Sequence, residues 1–306
     1  MINDKLRITK RVAKATLTNQ LAHIAPKMYM RLTGETGRGL GEESSGQAAS
    51  YFRTCFDDYF ARLGVASSAI GSFLAGKRVL EYGPGDLPGV ALLMVAHGAE
   101  AVICVDRFPL MQLTEKNLAV INDLLSGLGA AERQRAESCF LRDGDPAAGF
   151  NPDHIRYRID PSGLSGIRNE IDLVFSRAVL EHVNDLPSTF VDMHAAMKRD
   201  AIAIHQVDLK SHGLHQTNPL DFLAWPNYLW RLMYSHKGVP NRLRVDSYRS
   251  IIARTGFDVV SIEPTLLAEP ADVRAVRPAL ALPFRQISDD DLRWLGFWLV
   301  CGKKSN

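Results

Sequence analysis

From residue 77 onward, short apolar runs alternate with segments whose apolar residues recur every three or four positions, the signature of strands alternating with helices. The pattern predicts strands at 78–82, 101–105, 155–159, 171–176, 201–207 and 257–262, with helices at 89–97, 110–128, 186–197 and 246–255. That alternation implies a parallel α/β sheet. The stretch 209–244 breaks the rhythm with many aromatic and polar residues and reads as an insertion after the fifth strand. Further on, Ser288 and Asp291 are spaced like a capping box, and the apolar run 295–301 is expected to form a last strand.

Ahead of the alternating region the pattern is purely helical. Leu6, Val12, Ala13, Leu17, Leu21 and Ile24 recur at roughly helical spacing, which predicts an amphipathic helix. Tyr51, Phe52, Phe56, Tyr59, Phe60 and Leu63 predict a second, with Gly64 as its stop signal. The Gly- and Ser-rich segment 33–46 between them is expected to be a loop, hinge or lid. The organisation that follows is an N-terminal helical cap over 1–76 and a main domain over 77–306 that carries the insertion.

Composition narrows the function. With 306 residues, 46% of them hydrophobic, the chain can bury a core without a metal or disulfides. Lys and Arg number 36 against 34 acids, a net charge of +2, well short of a dedicated nucleic-acid binder. The basic N-terminal helix lacks the continuous apolar region of a signal peptide, and no apolar run is long enough to span a bilayer. Cys55, Cys104, Cys139 and Cys301 form no CxxC pair, so no disulfide framework and no metal site is expected, and a reducing cytoplasm is the simplest compartment.

The sharpest chemical signal is Val79-Leu80-Glu81-Tyr82-Gly83-Pro84-Gly85, a strand entering a glycine turn before a helix. Such a turn lets backbone approach a ligand closely. About twenty residues on, Asp106 ends the next strand, where a carboxylate accepts ribose hydroxyls. The glycine spacing, G-x-G-x-x-x-G, differs from the dinucleotide fingerprint, and Glu81 suits an amino-bearing or cationic ligand better than a pyrophosphate. S-adenosylmethionine carries both an ammonium and a sulfonium.

In these residues the chain resembles the class I S-adenosylmethionine-dependent methyltransferases, and the resemblance continues in order across 77–303. Asp160-Pro161 is similar to the family's acid after the third strand, and the run from Ile171 through Ser176, Arg177 and Leu180-Glu181-His182-Val183 resembles its fourth motif. The resemblance implies a Rossmann-like seven-stranded sheet, S-adenosylmethionine as cofactor and methyl transfer as activity. It implies cofactor contacts from Glu81, Gly83, Pro84, Gly85, Asp106, Arg107, Asp160, Pro161, Ser176 and Arg177. Two departures are Leu87, in place of a common motif glycine, and Arg107 directly after the ribose acid.

The acceptor is less constrained. A hydroxyl needs a base and a thioether does not, and His182 and His205 are the candidate catalytic residues. Glu181, Asp208, His212, Tyr228, Trp230, Arg242 and Arg244 are candidates for substrate binding, with the two arginines suited to a carboxylate. A small polar metabolite is expected. The specific expectation is S-methylation of methionine, by similarity to bacterial methionine S-methyltransferases. O-methylation of a sugar or other hydroxyl compound, and a non-catalytic S-adenosylmethionine-binding scaffold, are the alternatives. Neither a nucleic-acid nor a membrane partner is expected, and a homodimer through the N-terminal helices is compatible with the pattern.

Overall fold

The computed structural model describes residues 2–33 and 43–304, so most of the glycine-rich segment expected as a hinge or lid lies outside the described residues. The strands are β1 (Arg78–Tyr82), β2 (Ala101–Asp106), β3 (Ile155–Ile159), β4 (Ile171–Arg177), β5 (Met197–Asp208), β6 (Phe257–Leu267) and β7 (Trp294–Lys303). They form one seven-stranded sheet in the order β3-β2-β1-β4-β5-β7-β6. The pairings from β3 through to β5 are parallel, and β7 runs antiparallel between β5 and β6.

The helices are α1 (Ile2–Ile24), α2 (Pro26–Thr33), α3 (Ser45–Arg62), α4 (Ile70–Leu74), α5 (Gly89–Ala96) and α6 (Glu115–Ser126). They continue with α7 (Ala130–Glu137), α8 (Leu186–Ala196), α9 (Asn227–Tyr234), α10 (Val245–Arg254), α11 (Pro270–Val276) and α12 (Asp289–Leu292). Local chemistry sets several ends. Thr114 starts α6 by accepting from the Asn117 N–H at 3.1 Å, which is why the helix begins later than its apolar spacing suggests. Ser288 caps α12 in the same way.

Both faces of the inner strands are covered, so β1, β2, β4 and β7 are apolar on both sides, whereas the edge strands β3 and β6 are largely exposed. Val79, Val102, Cys104, Leu173 and Phe175 face a first core with α3, α5 and α6. Alternate positions, Leu80, Tyr82, Ile103, Val105 and Val174, face a second core built on α8 and α10. Helix α3 is thus integral to the sheet's covering, with Phe52, Cys55, Phe56, Tyr59 and Phe60 all buried.

A third core joins the insertion to α1, α11 and α12. Helix α1 turns a face of Ala15, Asn19 and Ala22 inward, while Leu17 and Ile24, expected on the apolar stripe, are 71% and 78% exposed. Polar contacts explain the rotation. Asn19 donates to the Leu232 carbonyl at 2.9 Å and accepts from the His236 N–H at 2.8 Å. Lys237 Nζ reaches the Ala15 carbonyl and the Thr18 hydroxyl, each at 2.8 Å.

Arg244 ties this third core to the sheet. It is 1% exposed and donates to the carbonyls of Leu209, at 2.9 Å, Leu292, at 3.1 Å, and Trp294. An Arg244→Met substitution keeps the apolar stem and leaves those three carbonyls without their donor, so urea unfolding should show a loss of about 3 kcal/mol or more.

Candidate active site

The strand order reverses between β1 and β4, because the chain lays β2 and β3 on one side of β1 and then returns to place β4 on the other. Open α/β sheets bind ligands in the crevice at the carboxyl end of such a switch. Here the turn after β1 holds Gly83 at φ 67° and Gly85 at φ 73°, conformations that a side chain would strain. A Cβ on Gly83 would lie 2.4 Å from Val179 Cγ2, so the turns after β1 and β4 are packed directly on each other, with Pro84 and Gly85 buried behind them.

Three carboxyl groups line this edge. Glu81, 7% exposed, has only the Cys104 thiol at 3.4 Å as a recorded side-chain partner, and burial pushes its pKa up to about 8. Asp106, also 7% exposed, accepts from the Phe108 N–H at 3.0 Å, and burial raises it to about 6. Asp160 differs from both. It is held below its ordinary value by the hydroxyl and N–H of Ser162, the arrangement of a turn-forming residue ahead of exposed Pro161. Its own N–H donates to the Asp106 carbonyl at 2.9 Å, which keeps the two strand ends adjacent.

The crevice is bridged from above. The Ser235 carbonyl accepts from Arg107, following β2, at 3.4 Å, and from Asn184, following β4, at 2.8 Å. Arg177 instead turns toward α3, pairing with Asp58 at 2.8 Å and lying over the Tyr51 and Trp298 rings.

On the β4–β5 side, Glu181, His182 and His212 converge. Each offers a ligating atom, and these atoms lie within 4.8 Å of one another. Glu181 is 1% exposed and both its side-chain oxygens lack a hydrogen-bond partner. Burial holds its carboxyl well above the usual range. The His182 and His212 rings meet edge to face at 4.9 Å. Burial, and then His212, pull His182 down to about 4, so it is neutral at pH 7. Asp208 stands 4.0 Å from His212 Nε2. Asn241 fixes the turn, its N–H donating to the Glu181 carbonyl at 2.6 Å and its amide to those of Leu180, at 3.0 Å, and Val183, at 2.9 Å.

The other predicted residues lie elsewhere. Strand β5 runs on to Asp208, so His205 is inside the sheet rather than at its end. It is fully buried, bonded through Nδ1 to Ser176 Oγ at 2.7 Å, and pulled down to about 3 by burial. Arg242 is 4% exposed, with its guanidinium on the carbonyls of Phe222, at 3.2 Å, and Trp225, at 2.7 Å, and on Asn227 Oδ1 at 2.5 Å. Trp230 packs under it and donates to the Pro240 carbonyl at 3.1 Å, whereas Tyr228 is 76% exposed. Beside them is a cavity of about 610 Å³ lined by Asn184, Trp230, Ser235, Asn241, Arg242 and Asp246.

A family model described as a methyltransferase domain matches residues 51–262, more than half of the chain. The chain belongs to the methyltransferase-domain family. The match begins inside α3, the helix that covers the sheet. A comparison with curated proteins finds no match. Among solved structures, an S-adenosylmethionine-dependent methyltransferase from Mesorhizobium loti is 18% identical with a TM-score of 0.41, over 77% of this chain and 96% of that one. A Haemonchus contortus phosphoethanolamine N-methyltransferase, in complex with phosphomonomethylethanolamine and S-adenosylhomocysteine, is 19% identical with a TM-score of 0.40. That likeness covers 76% of this chain and 49% of the other.

S-adenosylmethionine is the cofactor of this methyltransferase family, and the residues present fit it. Gly83 leaves no room for a side chain and Gly85 sits at φ 73°, Asp106 ends β2 where a ribose-binding acid belongs, and Glu81 is a buried carboxyl without a cationic partner among the described residues. Sequence reasoning did not find the Asp86–Asn117 clamp, in which the Asn117 amide donates to the Asp86 carbonyl at 3.3 Å and carboxylate at 3.2 Å. No motif marks an asparagine one helical turn into α6.

Glu81 gives the methyltransferase a testable pH dependence. With a pKa of about 8 it is protonated at neutral pH in the free protein, and a neighbouring cation favours its ionised form. Binding of the cationic cofactor therefore releases a proton and strengthens as pH rises through 8. Calorimetric titration between pH 6 and pH 9 should show that rise, and Glu81→Gln should flatten it and weaken binding at the alkaline end.

Proposed function

We propose that this methyltransferase transfers the methyl group of S-adenosylmethionine to a hydroxyl of a small polar acceptor. The observation that carries the reading is the Glu181–His182–His212 cluster, placed just past the turn that packs on Gly83. A hydroxyl has a proton to lose, and an imidazole is a group that can take it. Methionine as acceptor calls for a guanidinium facing its carboxylate, and the arginines expected for that task, Arg242 and Arg244, are both committed to main-chain carbonyls.

In this reading the acceptor is held in the cavity of mixed polar and apolar lining beside Asn184 and Asn241, of a volume that suits a small metabolite, and reaches from it to the Glu181–His182–His212 cluster, which does not itself line the cavity. The bound cofactor supplies an electrophilic methyl group on a sulfonium. His182 holds the acceptor hydroxyl by a hydrogen bond, and His212 takes its proton. Asp208, at 4.0 Å, stabilises the imidazolium that results. Held at the Gly83–Gly85 turn with Glu81 and Asp106, the cofactor would supply its methyl group to the acceptor oxygen and be left as a neutral thioether. The protein's main contribution is alignment and exclusion of water, served by the Ser235 bridge between Arg107 and Asn184. Among the described residues no helix is long and apolar enough to cross a membrane, which accords with an acceptor met in water.

Isotope-labelled S-adenosylmethionine, offered with sugars, hydroxy acids, methionine and related thioethers, should yield a labelled methyl ether detectable by mass spectrometry. Labelled S-methylmethionine as the sole product overturns the reading. His212→Ala should lower kcat by about 10²–10⁴-fold while leaving cofactor affinity unchanged.

A further inference from the structure

We infer that Glu181, His182 and His212 form a binding site for a first-row divalent cation where β4 and β5 end. The purpose of the ion rests on the hydroxyl-acceptor reading above, whereas its binding does not.

The first argument is geometric. A carboxyl and two imidazoles from segments about thirty residues apart bring their ligating atoms within 4.8 Å of one another. Around a common ion at ligand distances of about 2.1 Å, tetrahedral donors sit roughly 3.4 Å apart. Each pair therefore has to close by little more than an ångström, a distance within reach of side-chain rotation. His182 follows Glu181 directly on the turn after β4, and His212 follows the end of β5, so two neighbouring strands fix the approach.

The second argument is polar accounting. Buried polar groups are almost always hydrogen-bonded, yet both side-chain oxygens of Glu181 and the Nδ1 of His182 are buried without a partner. The main chain of this turn is held by Asn241, so Glu181 is fixed in place near the N–H groups of Glu181 and Asp208 and the charge of Lys210, without a well-formed hydrogen bond to its carboxyl. The nearest recorded polar atom of the cluster is His182 Nε2, 3.8 Å from Glu181 Oε1. A cation lying among the three would satisfy the carboxylate and an imidazole together.

The donor set points to the class of ion. Two imidazole nitrogens and one carboxylate oxygen suit Mn²⁺, Fe²⁺, Co²⁺ or Zn²⁺ and are a poor match to Mg²⁺ or Ca²⁺, which prefer all-oxygen shells. Three protein ligands leave coordination positions open. Asp208, 4.0 Å from His212 Nε2, is placed as the outer carboxylate that orients a ligating histidine. With the ion bound, His182 and His212 are its ligands and not bases: the ion would set a positive charge against the acceptor hydroxyl, lower its pKa and let its proton leave to solvent, in place of the histidine base of the metal-free reading.

Mn²⁺ is the probe. The untagged full chain, stripped with chelator and titrated with Mn²⁺, should bind one ion per chain by electron paramagnetic resonance, and Zn²⁺ should displace it. Glu181→Gln and His212→Ala should abolish saturable binding while keeping the parent's circular dichroism spectrum, and Asp208→Asn should weaken it about 10–100-fold. Absence of saturable binding by the parent, or binding unchanged in Glu181→Gln and His212→Ala, overturns the site. Ether formation that is indifferent to chelator, without Mn²⁺ binding, removes the ion and keeps the hydroxyl reading. Stoichiometric Mn²⁺ binding with S-methylmethionine as the sole product does the reverse.

Discussion

The contact between Gly83 and Val179 governs the geometry of everything around it. The two strands that diverge at the topological switch, β1 and β4, end in turns so close that a single Cβ on Gly83 would collide with the Val179 side chain at 2.4 Å. Both turns adopt unusual backbone conformations there, Gly83 at φ 67° and Ala178 at φ 53°. One turn has the form of a cofactor cradle, and the other begins the short run that carries Glu181 and His182. Their packing sets how far the methyl donor and the acceptor groups can lie from each other, and in-line transfer is acutely sensitive to that separation.

The same edge concentrates carboxyl groups that burial drives toward their neutral forms. Glu81, Asp106 and Glu181 are each raised by desolvation, and none has a recorded ion pair with Lys or Arg. The arginine that comes nearest in sequence to a charge role, Arg177, is directed away to Asp58 and the α3 side. Desolvated acids without countercharges cost stability in the free protein, and that cost is relieved by a ligand that brings positive charge. A sulfonium with an ammonium is such a ligand, and in the reading proposed above a divalent ion at Glu181 is another.

Much of the fold was legible because strand alternation and helical spacing report burial, and burial here is regular. All seven strands fell where apolar runs predicted them, and the turn after β1 was visible from its two glycines. Legibility failed where polar contacts decided the outcome. Helix α7 escaped notice because Glu132, Arg133 and Arg135 give it little apolar spacing. Helix α1 turned a face centred on Asn19 inward, since that side chain makes contacts that Leu17 cannot. His205 lies within the predicted strand 201–207, and what spacing could not show is that its ring is fully buried against the Ser176 hydroxyl. The convergence of His212 on Glu181 and His182 depends on two neighbouring strands ending side by side, which no linear spacing encodes.

The insertion shows why charge-bearing residues in a specificity segment are poor guides to substrate on their own. Arg242 and Arg244 carry the chemistry to grip a carboxylate, yet a segment with few regular elements exposes many main-chain carbonyls that would otherwise be buried unsatisfied. A guanidinium with five donors answers several of them at once, and Arg244 does this for three carbonyls from two distant stretches of chain. Asn241 performs the matching task for the turn after β4. Consecutive residues of the same loop therefore fasten the insertion to the sheet and hold the Glu181–His182 turn in place. The Glu181–His182 turn that these anchors position meets His212 where β4 and β5 end.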